Sequence, residues 1–289
     1  MTEQDVLRRF IFEDLGVRGT WVNLTQSWQA AKLHQQGPEL AQLQLGQALA
    51  AVVMLSSTIK FKGSMILQAQ GDGDLKALVA QSTDDQKIRG LLRCEAHVPT
   101  GTLEEQFGQG RLVLTIEPDE GNPYQGVVPL QGKNLAAAVQ TYFEQSEQLN
   151  TRLWLFANES SATGLLIQEL PAQNGEFEDW QRIELFANTL TEQEALSLDC
   201  EELLYKLFNE EHIRLFDAEP VAFQFACSKH RIERTLRALG REELESILLE
   251  FGQIEVDCEF CNKHYIFDSV DVETLLCQDT LLKNSITQH

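Results

Sequence analysis

Long apolar runs are scarce in this sequence. The longest uninterrupted one extends from Ala48 to Leu55, and a helix that crosses a bilayer needs about 20 apolar residues. The first ten residues also lack the basic start and apolar core of a secretion signal. We therefore expect a cytoplasmic protein that has no membrane partner.

Basic residues are few as well. The chain has 23 Lys and Arg against 44 Asp and Glu, which gives a net charge of −21 and a pI near 4.6. This charge repels phosphate backbones and anionic lipid surfaces, so we expect no nucleic-acid partner. Residues 176–219 contain thirteen acidic and three basic residues, and they therefore carry close to half of the net charge.

Cysteines number only six, and motifs for catalysis are missing. In the cytoplasm thiols stay reduced, so clustered cysteines indicate metal binding or redox sensing more often than structural disulfides. No spacing of Ser, His and Asp indicates a nucleophile. The segment Gly71-Asp72-Gly73 lacks the third glycine and the lysine of a phosphate loop, which favours a tight turn. We predict that the protein is not an enzyme.

The chain is long and apolar enough for one large domain and a smaller one, with 289 residues of which 43% are hydrophobic. We predict an α+β protein whose residues 1–175 form a large α/β domain. Apolar spacing predicts helices at Glu39–Met54 and Leu135–Glu147. Runs bounded by turn residues predict strands at Ser64–Gln70, Arg111–Glu117 and Arg152–Phe156.

Residues 176–219 form a predicted helical, acidic linker that follows a break at residues 171–175. Thr191 with Glu194 forms a capping box, and Asp199 can cap a further helix. Like charges on the outer faces of these helices repel one another, so the linker should be among the first elements to open. One apolar face is predicted from Trp180, Ile183, Phe186, Ala187 and Leu190, and another from Leu203, Leu204, Leu207 and Phe208.

Residues 220–289 contain a spaced pair of cysteine motifs. Cys227 is followed at three residues by His230, and Cys258-x-x-Cys261 is followed at three residues by His264. Two short ligand segments separated by about thirty residues are typical of a small metal-stapled domain. Because these residues are few for an independent core, a metal would supply much of the domain's stability.

The sequences around these cysteines resemble the heat shock protein 33 family. Val221 to Ser228, with the sequence VAFQFACS, matches the family's first cysteine knuckle, and Ile254 to Asp268 matches the second. The family's first cysteine falls on Phe225, so three of four thiols remain. Further matches follow in the family's order at Arg9–Val22, Gln70–Leu78, Tyr124–Gly132, Tyr142–Leu153 and Leu165–Gln173.

The resemblance implies a redox-regulated, ATP-independent chaperone of the holdase type. Its N-terminal domain would bind unfolding client proteins under oxidative or heat stress and would form a dimer on activation, whereas the resting protein is a monomer. In the family four thiolates hold one zinc ion. Their oxidation releases the zinc, unfolds the C-terminal domain and frees the linker. Clients then pass to an ATP-dependent foldase chaperone.

Cys227, Cys258 and Cys261 are the predicted zinc ligands. His230 is the first candidate for the fourth ligand in place of Phe225, because three thiolates and one imidazole form an ordinary structural zinc set. His264 is the second candidate and Cys277 the third. The alternative is a domain that has lost its metal and kept its cysteines. Two further cysteines, Cys94 and Cys200, match no motif and are predicted to be small buried hydrophobic residues.

The missing cysteine predicts a simplified redox switch. Cys258 and Cys261 can still form a disulfide, whereas Cys227 has lost its neighbour and zinc affinity should be weaker. The holdase activity of the reduced protein should then be higher than in the family. In the alternative case the protein is a constitutive holdase without redox control. A thiol-disulfide oxidoreductase is an alternative, although its dithiol prefers a helix N-terminus and Asn262 to Phe267 is predicted as a strand. A zinc-ribbon module for nucleic acid is disfavoured by the acidic charge.

Overall fold

The computed structural model describes residues 3–170, 177–224, 229–260 and 263–276, and gives only the backbone for residues 177, 230 and 231. The chain divides into two compact units, Met1–Gln224 and Phe225–His289. Helices and sheets are mixed in the first unit, as expected for an α+β protein. The functional division of the chain at residues 175 and 219 stays a prediction.

The N-terminal unit is built from twelve described strands and seven α-helices. In chain order these are β1 (Val6–Phe12), β2 (Val17–Leu24), α1 (Gln26–Lys32), α2 (Glu39–Ser57), β3 (Gly63–Gln70), β4 (Leu75–Thr83), β5 (Lys87–Cys94), α3 (Leu103–Phe107), β6 (Arg111–Pro118), β7 (Tyr124–Pro129), α4 (Leu135–Tyr142), β8 (Thr151–Ala157), β9 (Ala162–Glu169), α5 (Phe177–Ala187), α6 (Glu192–Ser197), α7 (Cys200–Phe208), β10 (Ile213–Leu215), β11 (Glu219–Pro220) and β12 (Ala222–Phe223).

Two six-stranded sheets organise this unit. The first sheet has the strand order β10-β1-β2-β9-β8, and β11 also pairs with β1. The second has the order β12-β5-β4-β3-β6-β7, in which every pair is antiparallel except the parallel pair of β12 and β5. The predicted strands at Ser64–Gln70, Arg111–Glu117 and Arg152–Phe156 are confirmed as parts of β3, β6 and β8.

Helix α2 contacts both sheets and forms the centre of the main core, as the low-charge segment from Glu39 predicts. Gly46 lets the helix approach its neighbours closely, because a Cβ there would lie 3.1 Å from Ala157 and 3.2 Å from Ala162. By length and composition α2 could span a membrane. Because 72% of its most apolar 18-residue window is buried in the unit, it has the features of a core helix.

The predicted helix Leu135–Glu147 is only partly correct. Helix α4 ends at Tyr142, and Phe143–Glu147 form a π-helical turn that ends in a left-handed residue, Gln148. Such wide turns accommodate one extra residue and re-aim the side chains that follow. Here Tyr142 and Phe143 both remain buried and contact each other edge to face.

Helices α5, α6 and α7, together called the covering helices, pack on the outer face of the first sheet and form a second core with it. The predicted apolar stripe is confirmed, since Trp180, Ile183, Ala187 and Leu190 are buried and Phe186 is partly buried. Both predicted N-terminal caps are also present. Thr191 forms a capping box with Glu194, and Asp199 forms one with Glu202.

The C-terminal unit contains α8 (Lys229–Leu239), α9 (Arg241–Phe251), a hairpin of β13 (Ile254–Asp257) and β14 (His264–Phe267), and a helical segment at residues 269–276. Gly240, with φ of 87°, allows the sharp turn between the two helices. Eight described residues form its buried core: Leu236, Leu244, Ile254, Tyr265, Phe267, Val272, Leu275 and Leu276.

Candidate redox site and client surface

Cys258, the first cysteine of the Cys258-x-x-Cys261 motif, lies directly after β13, where the β13–β14 hairpin begins to turn. The strands pair in the register Asp257 to His264, and the next hydrogen bond runs from the Cys258 backbone N–H to the Lys263 carbonyl, at 3.0 Å. The sequence prediction of a strand after the motif is confirmed for His264–Phe267. Cys258 therefore stands at the start of the turn, whereas Cys261 lies outside the described residues.

The two faces of this hairpin differ in character. Successive side chains of a strand point to opposite faces, and here Ile254, Val256 and Cys258 pack against the core of the unit. Asp257 and His264 are on the opposite, exposed face. The Cys258 thiol is thus half-buried on the core side, and the side chain of His264 extends away from that side.

His264 makes its own contacts on the exposed face. Its Nδ1 lies 2.7 Å from Asp257 Oδ1 and its Nε2 lies 3.8 Å from Glu255 Oε2. The hydrogen bond with Asp257 raises the pKa of His264 above its ordinary value. These contacts give His264 a role in the hairpin that needs no metal, which favours His230 over His264 as the missing ligand.

Most of the other predicted ligands lie where the structure gives no side chains. Phe225, Cys227, Cys261 and Cys277 are outside the described residues, and only the backbone of His230 is described, in the first turn of α8. Among the side chains that are described, no group of three or more His, Cys, Asp or Glu could hold a metal ion. The zinc ligand set and the Cys258–Cys261 disulfide therefore stay predictions.

Helix α8 packs in the same core as Cys258. Ile232 and Leu236, on the inner face of this helix, belong to the cluster that also contains Cys258. Lys229 fixes the first turn of the helix, with its Nζ 5.4 Å from the centre of the Phe267 ring and 3.4 Å from Asp271 Oδ1. The chain that follows Cys227 thus enters the same small unit as the hairpin.

Cys94 and Cys200 lie far from the hairpin in sequence and in a different unit. Cys200 is fully buried in the second core, where burial raises the pKa of its thiol, so the prediction for this residue is confirmed. Cys94, at the end of β5, is partly buried against the main core, and burial raises its pKa too. Both thiols are protonated at neutral pH and are therefore poor nucleophiles.

The outer face of the first sheet is an apolar surface that sequence reasoning missed. It consists of Phe10, Phe12, Val17, Trp21, Leu165 and Ile167, all buried under the covering helices. Phe12 and Phe208 of α7 contact edge to face with ring centres 5.0 Å apart. The sequence pattern predicted amphipathic covering helices, but the partner of their apolar face depends on strand pairing that local patterns do not reveal.

The cover of this apolar surface has a built-in cost. The Trp21 indole N–H is buried and has no hydrogen-bond partner among the described residues. A buried donor without a partner costs about 1–3 kcal/mol. The ion pairs that fasten the helices, such as Arg152 Nε to Glu184 Oε1 at 2.5 Å and Arg182 Nε to Glu211 Oε1 at 2.8 Å, are partly exposed and so contribute little.

The whole chain is similar to proteins of one family. Residues 5–268 match the family model described as Hsp33 protein. The chain is 56% identical over 289 residues to the 33 kDa chaperonin of Nitrosococcus oceani, with both chains covered completely. It is 42% identical to the 33 kDa chaperonin of Hahella chejuensis, with 96% of this chain and 99% of the relative covered.

A solved structure shares the fold. The crystal structure of the 33 kDa chaperonin, or heat shock protein 33 homologue, from Thermotoga maritima matches with a TM-score of 0.80 at 23% identity. The match covers 96% of this chain and 99% of that chain. The similarity therefore extends over both units.

Proposed function

This chain belongs to the Hsp33 family of chaperones, and from that premise we propose that it is an ATP-independent holdase. It binds unfolding proteins during oxidative or heat stress and prevents their aggregation. The observation that carries the proposal is the apolar outer face of the first sheet, which among the described residues is covered by amphipathic, strongly acidic helices. A surface of this kind binds unfolded chains through apolar contacts once its cover leaves.

The client surface is Phe10, Phe12, Trp21, Leu165 and Ile167. When α5, α6 and α7 detach, these side chains lose their cover and the Trp21 N–H gains water as a partner. Repulsion among the acidic residues of 176–219 favours detachment. The resting state therefore depends on whatever holds the covering helices down, and this is the point at which regulation acts.

The regulating element is the C-terminal unit with its thiols. Cys227, Cys258, Cys261 and His230 are the proposed zinc ligands, and their chemistry fits, since three thiolates and one imidazole are an ordinary structural zinc set. Bound zinc would contribute on the order of 10 kcal/mol of folding free energy. Phe225 leaves one thiolate fewer than the family pattern, so the affinity is lower and the unit opens more readily.

Oxidation switches the unit through its remaining dithiol. The Cys258 and Cys261 thiols lose two electrons and two protons as one S–S bond forms, while a peroxide is reduced to two waters or hypochlorite to chloride and water. A disulfide cannot serve as two thiolate ligands, so the metal set is lost. Cys227 remains as a single thiol that can exchange with oxidised glutathione, which forms a mixed disulfide and releases one reduced glutathione.

The proposed setting follows from the family. The protein acts in the cytoplasm, is a monomer at rest and a homodimer when active, and releases clients to an ATP-dependent foldase. The net charge of −21 disfavours nucleic acid as a partner. A role as a thiol-disulfide oxidoreductase is disfavoured because Cys258 starts a hairpin turn instead of a helix. In an insulin-reduction assay, which tests for a thiol-disulfide oxidoreductase, we expect no activity.

Zinc content and thiol counting on reduced protein test the switch. We expect one zinc per chain in the wild type and a loss of most of it in His230→Ala. The matched control is His264→Ala, which removes the same side chain from the exposed face of the hairpin and should keep its zinc. Loss of zinc in His264→Ala but not in His230→Ala would identify His264, and not His230, as the fourth zinc ligand. No zinc in the wild type would indicate a constitutive holdase.

Suppression of client aggregation by reduced and oxidised protein tests the activity itself. We expect measurable suppression by the reduced protein and stronger suppression after peroxide treatment at elevated temperature. Complete inactivity of the reduced protein would contradict the loosened switch. Inactivity in both states would contradict the holdase.

A further inference from the structure

A cleft opens on the inner face of the first sheet where helix α2 ends. Residues of even number in β2, such as Val22 and Leu24, face the main core, whereas Val17 and Trp21 face the covering helices. Beyond Ser57 the helix no longer covers the inner face, and a cavity of about 230 Å³ remains. Its polar lining comes from Arg9, Arg18, Thr20, Ser57 and Thr58.

Arg18 is the cation of this cleft that lacks an anion. Its Nε donates to Gln168 Oε1 at 3.0 Å, and its Nη2 donates to the same neutral oxygen. Within the described part of the chain no carboxylate pairs with it, and burial lowers its pKa. Arg9, in contrast, pairs with Glu219 at 2.6 Å. A half-buried guanidinium that has no counter-ion is costly unless an anion joins it.

A second polar group in the cleft also lacks a partner. The Thr20 hydroxyl is buried, with 4% of the residue exposed, and no described residue forms a hydrogen bond with it. The hydroxyl groups at the nearby end of α2 do not need Arg18 or Thr20 as hydrogen-bond partners. Ser56, Ser57 and Thr58 already donate their hydroxyls to the carbonyls of Val53, Met54 and Leu55. The Arg18 guanidinium and the Thr20 hydroxyl thus both keep hydrogen-bonding capacity that the described residues leave unused.

An apolar cavity of about 310 Å³ adjoins the cleft, and Arg18 and Thr58 line both spaces. Its walls are mainly apolar, with Leu55, Ile59, Met65, Leu114, Ile116 and Phe143. Glu147 lies in the wall too, but the Tyr142 hydroxyl donates to its Oε1 at 3.0 Å, which partly satisfies its charge. The volume is in the range of small-ligand sites.

We propose that these joined spaces bind an amphipathic carboxylate, such as a medium-chain fatty acid. The carboxylate lies between Arg18 and the Thr20 hydroxyl, and the aliphatic chain fills the space beside Met65 and Ile116. The site is on the opposite side of the first sheet from the covering helices. Ligand binding therefore does not require the covering helices to detach, and its test is independent of the holdase assay.

Methyl NMR of the full-length protein labelled at methionine tests this site, with decanoate as the probe. The chain has three methionines, of which Met65 lines the apolar cavity. Met54 is fully buried near Gly164 and serves as a reference. We expect a saturable shift of the Met65 methyl resonance with decanoate. Decanol, which has no charge, should bind at least tenfold more weakly, because it forms no charge-assisted hydrogen bonds.

Two variants separate the head-group contacts from general folding. Arg18→Gln should weaken decanoate at least tenfold without affecting decanol, whereas Arg111→Gln, the same exchange on the second sheet, should have no effect. Thr20→Val removes the unpartnered hydroxyl at equal size, so it should fold normally and weaken decanoate several-fold. Equal binding of decanoate and decanol, an unaffected Arg18→Gln variant, no saturable shift, or joint shifts of Met54 and Met65 would each overturn the proposal.

Discussion

At the scale of single residues, Asp5, just before β1, shows how a side chain can determine a helix elsewhere in the chain. Asp5 has a φ of 52°, which is left-handed, and its carboxylate accepts hydrogen bonds from the backbone N–H groups of Thr25, Gln26 and Ser27. These are the free donors at the start of α1. Thr25 itself provides no side-chain cap. Asp5 therefore caps a helix from twenty residues away.

Replacing this cap should destabilise the N-terminal unit. We expect Asp5→Ala to lower the free energy of unfolding by about 1–2 kcal/mol, since it leaves several donors without an acceptor. Urea denaturation measures the change. Asp14→Ala is the matched control, because Asp14 also has a positive φ, of 65°, but is exposed. Equal losses in both variants would mean that only the backbone conformation matters.

At the scale of secondary-structure elements, the sequence predicted segments better than their partners. Runs bounded by turn residues located β3, β6 and β8, and apolar residues at helical spacing located α2. The pairing of β9 with β2, and the parallel pair of β12 and β5, join residues far apart in the sequence. Local patterns carry no information on such pairing, so the apolar sheet face under the covering helices was not predicted.

The covering helices offer a direct test of the proposed client surface. Ile183 of α5 is fully buried in the second core, whereas Leu185 of the same helix is 66% exposed. Truncation of a buried Ile to Ala costs about 3 kcal/mol through lost contacts and a cavity. We expect Ile183→Ala to raise aggregation suppression by the reduced protein and Leu185→Ala to leave it unchanged. An Ile183→Ala variant that loses this stability and still suppresses aggregation no better than wild type would contradict release of these helices as the activating step.

Helix α6, one of the covering helices, contains a carboxylate that should make the stability of these helices depend on pH. Hydrogen bonds from Lys206 and from Thr191 lower the pKa of Glu194 from 4.5 to about 2. A lowered pKa stabilises the folded state above pH 4.5, and this contribution is lost as the pH falls through about 2. We expect Glu194→Gln to lower the thermal stability at pH 7, with a difference from wild type that shrinks between pH 4.5 and 2. Glu192→Gln, at an exposed neighbour, should leave the thermal stability at pH 7 close to that of the wild type.

At the scale of the whole molecule, the two units differ in the size of the buried core that stabilises each of them. The N-terminal unit has two cores, one of them around the mostly buried helix α2, whereas the described core of the C-terminal unit has eight buried residues. We expect two transitions in calorimetry, of which only the lower one shifts down when a zinc chelator is added. If the chelator shifted neither transition, zinc would not control the stability of this protein.

Under the proposed zinc switch, we expect the lower transition to depend on Phe225, the position at which the family resemblance predicts a cysteine. Because a phenyl ring cannot bind zinc, Phe225→Cys should add a fourth thiolate, tighten zinc binding at least tenfold and reduce aggregation suppression by the reduced protein. Phe223→Cys adds a thiol two residues earlier, in β12, where the ring stacks on His34, and should do neither. Unchanged zinc affinity and basal activity in Phe225→Cys would mean that a non-thiolate ligand already completes the site. The loosened switch would then have to arise from weak packing of the C-terminal unit.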